Sequence, residues 1–191
     1  MKKRIFIAVD ISDEAKQKVA EYIANLKKKF SDLKVGWDRP EKLHLTLKFL
    51  GDTEENQLEK LEEICETISS EISNLKFQIS NTGVFPSPQN ARVLWLGVGG
   101  DVEELQKINS VLEDECGKFG FKKENRIYKP HLTIARLREP HKSKELVKTH
   151  LENKFEPVAF EVSEIVIYES KLQPTGSIYS KVQSSKFKVQ S

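Results

Sequence analysis

The chain has 191 residues, enough for one large domain or two small lobes packed together, and 38% of them are hydrophobic, enough to build a core. Its 31 basic residues are nearly cancelled by 29 acidic ones, which excludes the strong basic excess of a protein that coats nucleic acid backbones, so any anion site must be local. No apolar run approaches the roughly 18 residues of a membrane span. The opening MKKRIFIAVDIS turns acidic too soon for a secretory signal, and Cys65 and Cys116 stand in helical patterns without a metal-ligand spacing. The expectation is a soluble cytoplasmic protein with both thiols reduced and packed inside.

Residues 3–10, KRIFIAVD, read as a strand, and SDEAKQKVAEYIANLKKKF as an amphipathic helix with Ser12 or Asp13 at its cap. Lys27, Lys28 and Lys29 fall at the C-terminal end of that helix, where cations are favoured, and are read as a solvated end rather than an RNA patch. A strand at 42–50, a helix at 54–73 and a strand at 75–84 follow, closed by FPSPQN. The second half repeats the order: strand 91–98, helix 101–118, strand 131–137, helix 142–153 and strand 157–168, with a last strand near 177–188. The pattern predicts an α+β fold, one bilobal domain over 1–191, with duplicated halves of about 1–88 and 89–191 related by a pseudo-twofold axis and free to exchange strands.

One motif fills the same slot in both halves: EKLHLTLKFLG carries His44 and Thr46, and YKPHLTIARL carries His131 and Thr133. Strand side chains alternate faces, so His44, Thr46 and Lys48 are expected on one face and Leu43, Leu45 and Leu47 on the other. His131, Thr133 and Ala135 repeat this against Leu132, Ile134 and Arg136. The leucine faces can bury under helices, and the polar faces must line something wet. A lone strand histidine is usually structural, but seven threonines in 191 residues would seldom pair by chance with two histidines at matching positions. His141 and His150, in or beside a charged helix, are read as surface residues.

Two imidazoles of near-neutral pKa can divide the labour of proton transfer, one neutral and accepting, one charged and donating. Threonine hydroxyls pointing the same way suit the non-bridging oxygens of a phosphate, and a phosphodiester fits all four groups. A metal site is the rival reading, but neither histidine has a carboxylate at ligand spacing, and threonine is a poor zinc ligand, so no metal is expected. The residues leave open which histidine is the acid.

The two H-x-T-x motifs make the chain resemble the two-histidine phosphoesterase superfamily, and within it the RNA 2′,3′-cyclic phosphodiesterases historically called 2′-5′ RNA ligases, the LigT or ThpR group. RIFIAVDIS, LHLTLKFLG, GVFPSP, ARVLWLGV, GFKKE, PHLTIARL and PTGSIYS resemble that family's landmarks in its order, nearly end to end. The resemblance implies two lobes with antiparallel sheets around a central groove, helices outside, no metal and no cofactor. It also implies roles: His44 as proton donor to the departing 3′-oxygen, His131 as proton acceptor from the attacking water, and Thr46 and Thr133 on the phosphoryl oxygens. The expected product keeps a 2′-phosphate, and reversal with a ribose hydroxyl in place of water gives a 2′-5′ bond. The expected partner is an RNA end, and the expected state a monomer.

Other contacts are expected with less support from the pattern. Arg136 reaches the groove only if its strand bulges; Arg92 and Lys48 offer further positive charge. Phe85 and Tyr179 are candidates to stack on a nucleotide, whereas Trp95 is read as core. Two alternatives stand beside the enzyme: a non-catalytic module that binds RNA ends, and the same chemistry on small cyclic nucleotides or phosphate esters of ADP-ribose.

Overall fold

In the computed structural model, which describes residues 2–174 and 176–188, the chain forms β1 (Lys3–Asp10), α1 (Asp13–Lys29), β2 (Val35–Trp37), β3 (His44–Thr53), α2 (Glu55–Glu71), β4 (Leu75–Phe85), β5 (Val93–Gly100), α3 (Val102–Lys118), β6 (His131–Leu137), α4 (Lys144–Glu152), β7 (Val158–Val162), β8 (Glu164–Lys171) and β9 (Ile178–Lys186). Thr175, in the closing PTGSIYS stretch, lies outside the described residues. The first helix shows why these segments fold as read. Ser12 accepts from the Ala15 amide at 3.2 Å, Asp13 and Glu14 occupy the first turn, Lys27 to Lys29 occupy the last, and Ala15, Val19, Ile23 and Leu26 form one buried stripe. No helix among the described residues is long and apolar enough to cross a membrane.

The sheets do not follow the halves of the chain. One is ordered β3-β1-β8-β9 and the other β2-β6-β5-β4-β7, with every pairing antiparallel. Thus β4 leaves the first half to join β5 and β6, and β8 and β9 return to join β1. Helices exchange as well: α2 and α3 pack on the first sheet, α1 and α4 on the second. The order β3-β1-β8-β9 is mirrored by β6-β5-β4-β7, each headed by a motif strand.

The single strand expected at 157–168 is instead two strands in different sheets. Val158, Phe160 and Val162 are buried in one phase, Ser163 is exposed, and Ile165 and Ile167 resume one position out of phase. A continuous strand cannot change faces, so the chain breaks at Ser163 and crosses over. The short β2 has no clear alternation and was not foreseen.

His150 also departs from expectation, being fully buried. Its Nε2 lies 3.0 Å from the Gly83 carbonyl and 3.1 Å from that of Trp95, while Nδ1 lies 2.9 Å from the Tyr22 hydroxyl. The neutral ring donates from Nε2–H to both carbonyls and accepts from Tyr22, tying α1, α4, β4 and β5 together. Burial holds its pKa below the ordinary imidazole value.

Candidate active site

Both motif strands start the same way and break the alternation at the same place. On β3, His44 and Thr46 face the groove between buried Leu45 and Leu47; on β6, His131 and Thr133 do so between buried Leu132 and Ile134. Opposite β3, Ile7 pairs with Lys48 and Ala8 with Thr46, which leaves Leu47 as an extra residue; opposite β6, Leu94 pairs with Ala135 and Trp95 with Thr133, which leaves Ile134 extra. Each bulge flips the side chains that follow it. The bulge carbonyls are not orphaned: Asn109 Nδ2 donates to the Leu47 carbonyl at 2.8 Å, and the Asp38 amide to that of Ile134 at 2.9 Å.

The bulges decide two expected contacts in opposite directions. Arg136 turns to the face of His131 and is exposed there, in electrostatic range of His131, Asp38 and Tyr179. Lys48, expected beside His44, is instead only 3% exposed and turned under α3, where Nζ pairs with Glu113 and donates to the Lys122 carbonyl at 3.1 Å. It is therefore removed from the substrate contacts. Phe49 takes the groove position and is 60% exposed.

The two imidazoles are held alike. His44 Nδ1–H donates to the Lys42 carbonyl at 2.6 Å, and His131 Nδ1–H to the Lys129 carbonyl at 2.8 Å, which leaves Nε2 as the working nitrogen in each. His44 Nε2 lies 3.0 Å from Thr46 Oγ1. Aromatic rings wall both. Phe6 stacks on His44 with centroids 4.9 Å apart, Tyr179 meets His44 edge-on at 5.4 Å, and Phe85 meets His131 edge-on at 4.9 Å. Trp95 is not core but lies on this face, 6.3 Å from His131 and 5.2 Å from Phe85. It fits because Gly83 beneath it has no side chain; a Cβ there would lie 2.1 Å from the indole.

Burial pulls both histidines below their ordinary pKa, but the charges beside them differ. For His44, the Lys42 carbonyl and the Asp10 carboxylate oppose that pull, and Lys16 adds weakly to it; for His131, the Lys129 carbonyl opposes and the Arg136 guanidinium adds. Asp10 is directly across from His44 in the β1–β3 register, whereas the matching position across from His131 is Gly97. Asp10 is itself fixed, accepting from Tyr168 Oη at 2.7 Å and pairing with Lys181 at 2.9 Å. Burial would raise its pKa, but these partners outweigh burial and keep it ionised.

Of the expected residues, His44, Thr46, Tyr179, His131, Thr133, Phe85 and Arg136 are thus gathered on the groove faces, while Arg92, just ahead of β5, is bonded through its backbone to Phe85 and Leu137 and lines a separate cavity with His141 and Lys144. Sequence reasoning missed Phe6, Asp10, Asp38, Phe49 and Tyr168. Asp10 was legible as the carboxylate that follows the apolar run Ile5–Val9, whereas Phe6 is buried within that run and nothing in the pattern sets it apart.

A model of the family "LigT like Phosphoesterase" matches residues 9–95 and 98–179. The chain belongs to this family. It is 35% identical over 185 residues to an RNA 2′,3′-cyclic phosphodiesterase of Methanothermobacter thermautotrophicus, covering 96% of this chain and 98% of the relative. It is likewise 35% identical over 183 residues to one of Methanocaldococcus jannaschii, covering 94% and 98%. Among solved structures, a Thermus thermophilus protein superposes with a TM-score of 0.79 at 21% identity, covering 96% of this chain and 97% of that one. The E. coli LigT structure with 3′-AMP gives 0.76 at 21% identity, covering 98% and 99%. The LigT-like fold, α+β with two antiparallel sheets and outer helices, is the one expected.

Proposed function

We propose that this LigT-like phosphoesterase hydrolyses RNA 2′,3′-cyclic phosphate ends, with His131 as base and His44 as acid. The observation that carries the division of roles is the unequal pair of neighbours: a fixed carboxylate, Asp10, across from His44 and a guanidinium, Arg136, on the face of His131. The carboxylate favours the imidazolium and the guanidinium favours the neutral ring. His131 Nε2 takes a proton from water as its oxygen bonds to phosphorus. The P–O3′ bond breaks, and His44 Nε2–H supplies the proton that the departing 3′-oxygen gains. The product carries a 2′-phosphate and a free 3′-hydroxyl.

Thr46 and Thr133 donate to the phosphoryl oxygens, where charge builds in the transition state, and Arg136 adds a fixed positive charge. Both histidines come from one chain, so a monomer is the working unit, and the substrate class together with two buried free thiols fits the cytoplasm. Relatives that carry the name RNA 2′,3′-cyclic phosphodiesterase support this reading over 94–96% of the chain. The test is hydrolysis of an oligonucleotide ending in a 2′,3′-cyclic phosphate, in EDTA, with the retained phosphate located on the ribose. A 2′-phosphate product is expected. A folded protein that binds this end without opening it would make the chain a binding module.

A further inference from the structure

Beyond the groove, a cavity of about 380 Å³ opens at the end of β5 and β6, lined by Gln89, Asn90, Arg92, Pro140, His141 and Lys144. We propose that it binds a backbone phosphate of the RNA strand upstream of the cyclic end. The inference rests on the function just proposed and names the length of substrate the enzyme prefers.

The lining has the chemistry of an anion site: a guanidinium, an ammonium, an imidazole and two amides, with no carboxylate. Two acids adjoin the lining in sequence: Glu139 is turned to Lys142 at 2.7 Å, and Glu145 follows Lys144 in the first turn of α4. Lys144 also opens α4, whose N-terminus has no side-chain cap and sets the positive end of its dipole beside these side chains.

Position connects the cavity to the reaction centre. Gly97 lies across from His131 and Val93 across from Arg136, so β5 runs from the reacting histidine past the groove guanidinium to Arg92. The Leu137 amide donates to the Arg92 carbonyl at 2.9 Å and fixes that end of the path. From Gly97 to Arg92 is roughly 16 Å at strand rise, a span of a few nucleotides.

Direction follows from the substrate. A cyclic phosphate is the 3′ end of its strand, so all remaining nucleotides leave one way. The two exits differ in charge. Past β3, the stretch Gly51–Glu55 brings Asp52, Glu54 and Glu55 against the basic start of β1, where Lys3 pairs with Thr53, Arg4 with Asp52, and Lys2 Nζ is 3.8 Å from Glu54. That end is balanced. Past β6, the matching stretch supplies Arg138, His141, Lys142 and Lys144 beside Arg92, against Glu139 and Glu145. A polyanion leaves over the basic end.

The test compares two cyclic-ended substrates, a nucleoside 2′,3′-cyclic phosphate and a hexanucleotide, for wild type, Arg92→Ala, Lys144→Gln and the distant control Lys60→Ala. Wild type is expected to prefer the hexanucleotide, with the preference shrinking as salt rises. Arg92→Ala and Lys144→Gln each lower kcat/KM for the hexanucleotide by about five- to tenfold and flatten its salt dependence, while mononucleotide hydrolysis follows wild type. Equal effects on both substrates, or no effect on either, overturn the site while cyclic-end hydrolysis stands. If wild type opens neither substrate, the functional reading falls and the site falls with it.

Discussion

Along β3 the groove face reads His44, Thr46 and, past the bulge, Phe49; along β6 it reads His131, Thr133 and, past the matching bulge, Arg136. Across the sheet, the first histidine meets Asp10 and the second meets Gly97. The shared features are those both ends of the proposed reaction need: an imidazole locked through Nδ1 and a hydroxyl two residues on. The features that differ set charge. The two motif strands hold their imidazoles alike, and the flanking positions make the surroundings of the two rings unequal.

The comparison breaks most visibly when either histidine is removed. His44→Ala and His131→Ala are each expected to cost about 10²–10⁴-fold in kcat on a cyclic-ended RNA. A nucleoside 4-nitrophenyl phosphodiester separates them, because nitrophenolate leaves without a proton. On it, His131→Ala stays impaired and His44→Ala recovers most of the wild-type rate. The opposite pattern, in a steady-state assay of both variants on both substrates, would exchange the roles.

The position after each bulge offers a stability test. Ala135 is buried on β6, whereas its counterpart Lys48 is buried on β3 against Glu113. Glu113→Ala leaves that ammonium without its counter-ion and is expected to cost about 3 kcal/mol in denaturant unfolding. Lys48→Met, which removes the charge and keeps the stem, should stay within about 1 kcal/mol of wild type and keep full activity. Loss of catalysis in Lys48→Met would return Lys48 to the substrate contacts.

The helix pairs differ too. Over the first sheet α2 and α3 bury Cys65 and Cys116, whose thiols burial pushes up to about 12 and about 11; over the second, α1 and α4 meet through Tyr22 and the buried neutral His150. His150→Gln is expected to cost on the order of 2 kcal/mol through unpaired carbonyls. Because folding holds His150 below the ordinary imidazole value, its contribution is complete above pH 6.5 and lost as pH falls through the lowered folded value. Unfolding free energy measured between pH 7 and 5 should therefore fall less steeply in His150→Gln, by up to about one proton.

Much of this was legible because local pattern and tertiary role agree. Alternation around His44 and His131 gave both strands and their polar faces, and cap residues placed α1. What failed did so where one residue shifts the phase. The extra Leu47 sends Lys48 inward, the extra Ile134 brings Arg136 outward, and Ser163 divides a run of apolar residues between two sheets. Bulges are set by cross-strand pairing, which a single strand's sequence does not contain. His150 was misread for a related reason: its partners lie on α1, β4 and β5, far along the chain.

The finest test of the comparison moves one side of the pH profile at a time. For kcat/KM, the acidic limb reports the base, which must be neutral, and the alkaline limb the acid, which must be protonated. Titratable and charged groups facing His44 are Asp10 on β1, Lys16 on α1, Tyr168 on β8 and Tyr179 on β9. Asp10 alone among them favours the imidazolium as a carboxylate. Asp10→Asn therefore lowers the His44 pKa, and the alkaline limb moves to lower pH with the acidic limb unmoved. Arg136→Gln removes the guanidinium that depresses His131, so the acidic limb moves to higher pH. A displacement of about one unit makes Asp10→Asn roughly tenfold slower on its own limb and near wild type on the other, whereas Arg136→Gln, which also takes a positive charge from the phosphoryl group, is slower at every pH and about tenfold slower again on the acidic limb. The limbs would move together if the two imidazoles titrated as one coupled pair, and the division of labour would then belong to the pair rather than to its neighbours.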